Sequence, residues 1–170
     1  MKTKEINSNQ IITLNDYPVY SDIDLKKYFE MCQSKKKLPL VPVIKKGIVR
    51  KHLDKELLEK FQKFEEDNPE AEYFMLDGTH RTTAQTLSGC KITIIIYEKD
   101  EDVAEAKDLV DSGQICENAT LYYSIIKNCE ILNKHFNVRP YFMTVEQKTK
   151  KMVEEKVIPQ NMIDTFLKNN

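Results

Sequence analysis

Between Glu72 and Tyr97 the chain spells out a strand, a turn, a helix and a second strand with almost no residues to spare. Glu72-Tyr73-Phe74-Met75-Leu76 is a short aromatic and aliphatic run that reads as a buried strand and stops at Asp77-Gly78. Arg81 to Ser88 can be helical, Gly89 stands where a helix takes its C-terminal cap, and Lys91 to Tyr97 is the strongest strand in the chain. Along the whole chain the order is strands with interleaved helices and then helices only, so the predicted class is α/β (α+β).

The flanking sequence fits that frame. Gln10 to Leu14 reads as a short strand, followed by a turn through Asn15-Asp16-Tyr17-Pro18 and a helix from about Ile23 to Cys32, with Ile23, Leu25, Tyr28 and Phe29 at helical spacing. Leu38 to Ile44 is β-branched and apolar, and its prolines Pro39 and Pro42 suggest an edge strand or an irregular entry. From Asp54 to Glu66 the positions Leu57, Leu58, Phe61 and Phe64 recur at three and four residues, which predicts an amphipathic helix ended by Asn68-Pro69. Beyond Lys99 the pattern is helical only: Val103 to Asp111, Glu117 to Phe136, a capping box at Thr144 leading to about Glu155, and Pro159 through Phe166. The expected organisation is a mixed-sheet domain over 1–114 and a helical extension over 115–170.

Several classes of function are disfavoured at this level. With 26 Lys and Arg against 27 Asp and Glu, the net charge is -1, so no general basic field draws the chain to nucleic acid. Lys35-Lys36-Lys37 reads as a solvated loop, and lysines 148, 150, 151 and 156 alternate with glutamates as on an exposed helix face. Helices around Val157-Ile158-Pro159 could form a degenerate helix-turn-helix, but a packing or homodimer role for Met162, Ile163 and Phe166 is the plainer account. The longest apolar run, Ile92 to Tyr97, is far too short for a membrane helix, and the first residues lack a signal peptide's apolar stretch, so a cytoplasmic protein is expected. Cys32, Cys90, Cys116 and Cys129 form no C-x-x-C pair, which argues against a zinc ribbon or a disulfide scaffold and predicts reduced, mostly buried thiols. His52 and His135 stand apart from other metal-ligand types and read as surface or packing residues.

The chemistry concentrates at Asp77-Gly78-Thr79-His80-Arg81-Thr82. A strand that turns directly into a helix aims several backbone N–H groups at one point, where the helix dipole adds partial positive charge, and anions bind such ends. Gly78 permits a tight turn and a close approach, Arg81 can fork two hydrogen bonds to phosphate oxygens, and Thr79, His80 and Thr82 offer further polar contacts. The same residues also allow a plain surface turn in which Asp77 caps the helix, His80 is solvated and Arg81 pairs with a nearby glutamate.

Asp77 to Ala84, with Gly89 and a β-branched strand after it, resembles the nucleotide-binding signature of the ParB and sulfiredoxin superfamily over about Leu38 to Asp102. That resemblance implies the family's mixed sheet with flanking helices and a nucleotide phosphate held on Gly78, Thr79, His80, Arg81 and Thr82. Sulfiredoxins carry a nucleophilic cysteine where Thr79 stands, so sulfinic-acid reduction is not expected. Partition-type ParB proteins have an acidic residue and arginine at Thr79 and His80 and a downstream Glu-Asn-x-x-Arg element. Here Glu117-Asn118 occurs, but Leu121 replaces the arginine. The Asp-Gly followed by His-Arg is most similar to the free serine kinase branch. That similarity implies ATP, ADP or CTP with magnesium positioned by Asp77, a transferring phosphate held by His80 and Arg81, and a small hydroxyl-bearing acceptor. The glutamate base of that branch has no counterpart that spacing assigns to Glu5 or Glu30. The expectations are therefore a ParB-like nucleotide-binding protein with kinase or NTPase activity, a nucleotide-gated partition-type module without catalysis, or an adaptor that keeps only the fold.

Overall fold

The computed structural model describes residues 2–14, 19 and 21–170, so the turn expected over 15–18 lies outside the described residues. Five strands form one mixed sheet: β1 (Lys2–Ile6), β2 (Ile11–Ile12), β3 (Val41–Lys45), β4 (Tyr73–Met75) and β5 (Ile92–Tyr97), in the order β1-β5-β3-β4-β2. Pairing of β3 with β5 and of β2 with β4 is parallel, while β1 with β5 and β3 with β4 run antiparallel. The helices are α1 (Asp22–Gln33), α2 (Lys46–Arg50), α3 (Lys55–Asp67), α4 (Thr79–Leu87), α5 (Asp100–Lys107), α6 (Ile125–Val138), α7 (Val145–Glu154) and α8 (Gln160–Asn169). The α/β class is as the sequence indicates.

Strand pleating sorts the core. Ile12, Ile44, Phe74, Ile95 and Tyr97 face a cluster completed by Val49, Phe61, Val103, Cys129 and Phe136. On the other face Ile11, Val43, Met75, Ile94 and Ile96 lie with Val145, and Leu25 and Phe29 of α1 pack with Ala84 and Leu87 of α4, Met152 of α7 and Phe166 of α8. Because both faces are covered, β4 and β5 read as nearly continuous apolar runs rather than as alternating ones. The helices after residue 114 supply part of both clusters. Phe136 and Phe142, with ring centroids 4.6 Å apart, close an aromatic group with Phe61 and Phe74.

Several local expectations change. β1 carries no apolar pattern, with only Ile6 buried; it exists because its backbone pairs with β5, from Lys2 opposite Ile96 to Ile6 opposite Ile92. Its lysines suit an edge strand. β3 is central rather than at an edge. Pro42 is accommodated because its carbonyl accepts the Leu76 N–H at 2.9 Å and its missing donor falls where β4 has already ended. Ile23 is 83% exposed, so the α1 face is made by the buried Leu25 and Phe29 with the partly buried Tyr28 and Cys32. The expected helix from Glu117 to Phe136 is broken, because Asn118 caps a 3-10 turn over Ala119–Tyr122 and Ser124 caps α6 afresh. α5 starts earlier than expected, since the Asp102 carboxylate accepts the N–H groups of Glu98 (2.8 Å) and Lys99 (3.1 Å). Lys148 is fully buried rather than part of an exposed face, because α7 lies against the sheet with Val145, Thr149 and Met152 also buried. The Thr144 capping box forms as read, with Gln147 N–H on Thr144 Oγ1 at 3.1 Å and Thr144 N–H on Gln147 Oε1 at 2.9 Å. Met162, Ile163 and Phe166 are buried among α1, α4 and α7, in keeping with the packing role.

One ion network ties α2 to α3. Glu65 accepts from Arg50 and from Lys46, the latter at 3.0 Å. Burial pushes the Glu65 carboxyl upward, yet the two cations outweigh it and hold the group below its ordinary range. A depressed folded-state pKa adds stability that is present above the unfolded value of about 4.3 and is lost as pH falls through the lower folded value. Glu65→Gln should therefore destabilise the chain by about 1 kcal/mol at pH 7. The difference from wild type in urea melts should be full above the unfolded value and fade as pH falls through the lower folded value.

Candidate functional site

At the carboxyl end of β4 the chain turns through Asp77 and Gly78 into α4. Gly78 is the N-cap, with φ +121°, a conformation that L side chains avoid. A Cβ built there would stand 3.2 Å from Cζ of Arg81, so the guanidinium lies directly against the glycine. Its Nη1 donates to Asp77 Oδ2 at 3.1 Å and its Nη2 to the Leu40 carbonyl at 2.9 Å, while Nε finds no acceptor among the described residues.

This geometry revises the role expected of Arg81. The residue is 3% exposed, and both terminal nitrogens hold protein groups, so it does not present a free fork to a phosphate. It braces the turn instead. Nor does the surface-turn alternative describe the arrangement: Arg81 pairs with Asp77 rather than a glutamate, and no side chain caps α4 at Gly78. Thr82 also departs from expectation, because it is fully buried and its hydroxyl donates to the Gly78 carbonyl at 2.7 Å. Thr83 and Thr86 do likewise one turn back, at 2.8 Å each, which lets a threonine-rich helix be buried almost all round.

A cleft of about 320 Å³ opens above the turn. Asp77, Gly78, Thr79, His80 and Arg81 form one part of its wall, Asp24 and Tyr28 of α1 another, and Cys116 with Glu117 a third. The His80 Nε2 accepts the Ser21 N–H at 3.3 Å, which joins the first turn of α4 to the N-cap of α1. With Nε2 accepting, the neutral ring assigned by this contact carries its proton on Nδ1. The Tyr28 hydroxyl meets Cys116 Sγ at 3.8 Å, and burial, the Cys116 contact and Asp24 together push it up to about 12 against the opposing charge of Arg81. Tyr28 is thus a proton donor at physiological pH, not a phenolate.

Of the second pair of candidates, only Glu117 reaches the cleft, where its Oε1 accepts the Tyr122 hydroxyl at 2.7 Å. Asn118 is turned to the 3-10 segment, accepting Thr120 N–H at 3.0 Å and donating to the Cys116 carbonyl at 3.1 Å. Glu5 on β1 and Glu30, paired with Lys26 on α1, are not among the cleft residues. Asp24, Tyr28 and Cys116 escaped the sequence reading because nothing local marks them; they converge only when α1 packs along α4. Among the described residues, three carboxylates against one guanidinium leave this lining two charges negative when His80 is neutral. No three His, Cys, Asp or Glu side chains among the described residues form a group that could hold a metal ion.

Compared with family models, curated proteins and solved structures, the chain matches none. The likeness to the ParB and sulfiredoxin superfamily therefore rests on the local motif alone.

Removing the brace should cost more than a surface ion pair would. Arg81→Ala leaves the Leu40 carbonyl and Asp77 without their partner and is expected to destabilise the chain by about 3 kcal/mol in urea unfolding. Arg81→Lys should recover little, because one ammonium cannot span both acceptors in the fork geometry. A loss below about 0.5 kcal/mol for Arg81→Ala would show that the guanidinium is not structural.

Proposed function

We propose that the cleft above the β4–α4 turn binds the phosphate end of a nucleotide carried as its magnesium complex. The observation that carries this reading is the convergence of three separate chain segments on the start of α4, where the helix dipole is positive and Gly78 brings the backbone close to the cleft. Concave sites lined by a few polar groups from different elements are the usual form of small-molecule sites.

The charge of the lining decides the form of the ligand. A bare triphosphate would meet the carboxylates of Asp24, Asp77 and Glu117, whereas a magnesium complex brings compensating charge with it. Magnesium commonly takes only one or two protein carboxylates and keeps the rest of its shell on phosphate and water. Asp77, whose Oδ2 is held by Arg81, is the carboxylate nearest the turn that would face it. His80 and the Tyr28 hydroxyl would donate to phosphate oxygens.

Kinase or NTPase chemistry is the active form of this reading, and a nucleotide-gated module without turnover is its silent form. Phosphoryl transfer asks mainly for positioning and charge neutralisation, and Glu117, exposed at the cleft, is the carboxylate in place to take a proton from an incoming hydroxyl or water. Membership of the ParB and sulfiredoxin superfamily is part of the proposal and would give both forms a precedent.

Titration calorimetry with ATP, ADP and CTP, each with and without magnesium, tests the binding. The expected result is magnesium-dependent binding that weakens by about tenfold in His80→Ala, a loss of about 1.4 kcal/mol. Phosphate release that falls in Glu117→Gln while binding is kept identifies the catalytic form. No heat with any nucleotide in the presence of magnesium would leave only the adaptor reading standing.

A further inference from the structure

Two of the four cysteines are brought together by the packing of α1 against α4, and neither lies in the cleft described above. Cys32 is in the last turn of α1, half-buried against Leu25, Phe29, Ala84 and Leu87. Cys90 follows the C-terminus of α4 and is exposed. Its position is fixed by a helix-terminating turn: Gly89, at φ +70°, lets the Cys90 N–H reach back to the Gln85 carbonyl at 2.9 Å. Cys90 and Ser88 are neighbours of the Cys32 thiol, and beside it Gln33 Nε2 donates to Ser88 Oγ at 3.1 Å. The Gln33–Ser88 bond ties the end of α1 to the end of α4, where the two cysteines stand.

We propose that Cys32 and Cys90 are a modification site, a dithiol that is oxidised to an intramolecular disulfide by a low-molecular-weight disulfide such as oxidised glutathione. The structure gives the two sulfurs different parts. Burial and the neighbouring Cys90 push the Cys32 thiol up to about 11 against the opposing effect of Ser88, so it stays protonated while Cys90 is open to solvent along a groove of about 370 Å³ shared with Lys91 and Asn169. The Cys90 thiolate attacks one sulfur of the oxidant, forming a mixed disulfide and releasing one equivalent of thiolate. Cys32 then attacks the Cys90 sulfur, its proton leaves with the second equivalent of thiol, and the Cys32–Cys90 bond closes. Overall, two protein thiols and one small disulfide give one protein disulfide and two small thiols, with no other electron acceptor.

The dithiol is independent of whatever the cleft binds. The cysteines also depart from the expectation of mostly buried thiols, since only Cys129 is buried, Cys32 and Cys116 are half-buried and Cys90 is exposed.

The test is to equilibrate the full chain in oxidised glutathione, quench in acid, alkylate under denaturing conditions, and count thiols and map peptides. The expected result is a fall from four free thiols to two, a Cys32–Cys90 linked peptide, and full recovery with dithiothreitol. Cys32→Ser should stop at a glutathione adduct on Cys90, and Cys90→Ser should keep its remaining thiols. A wild-type chain that holds a stable glutathione adduct on Cys90, keeps all four thiols, or cross-links a different pair would overturn the proposal, and the wild-type peptide map alone distinguishes these outcomes.

Discussion

A single buried guanidinium fixes the most informative part of this molecule. Arg81 reaches from the first turn of α4 back to the strand end at Asp77 and across to the Leu40 carbonyl at the entry to β3. It can lie there only because residue 78 is a glycine, whose missing Cβ leaves room for the guanidinium and whose backbone adopts φ +121°. Taking a cation out of water is costly unless its hydrogen bonds are replaced, and here a carboxylate and a carbonyl take one bond from each terminal nitrogen. Strand order, turn and helix start are thereby locked to one another.

That constraint shapes what the neighbouring cleft can offer. An arginine committed to bracing cannot also embrace a ligand, so recognition passes to the groups the brace holds in place: the start of α4, His80, and the partly exposed Asp77. α1 supplies the facing wall, and the contact between Ser21 and His80 sets its distance. The acidic surplus of Asp24, Asp77 and Glu117 makes a metal-complexed phosphate a better fit than a free one. Position and charge, rather than a ready-made anion clamp, define the proposed chemistry.

Much of this was legible in the sequence where the signal is local. The Asp-Gly turn, the capping box at Thr144 and the amphipathic face of α3 each depend on a few adjacent residues, and each appears where spacing puts it. The sequence could not reveal which of a side chain's possible surroundings would win. Arg81 and Lys148 look like surface cations, yet packing of α4 and α7 against the sheet buries both. β1 has no hydrophobic pattern and is created by a partner strand some ninety positions away. Asp24, Tyr28, Cys116 and Glu117 meet through tertiary packing, which leaves no mark in any short window.

The most direct measurement is an amide ¹⁵N–¹H titration of the folded chain with magnesium and ATP. Saturable shifts confined to Gly78, Thr79, His80, the stretch of α1 from Asp24 to Tyr28, and Glu117 are expected, with little change when magnesium is left out. Shifts that gather instead in another groove, or none at all at saturating nucleotide, would contradict nucleotide binding at this turn.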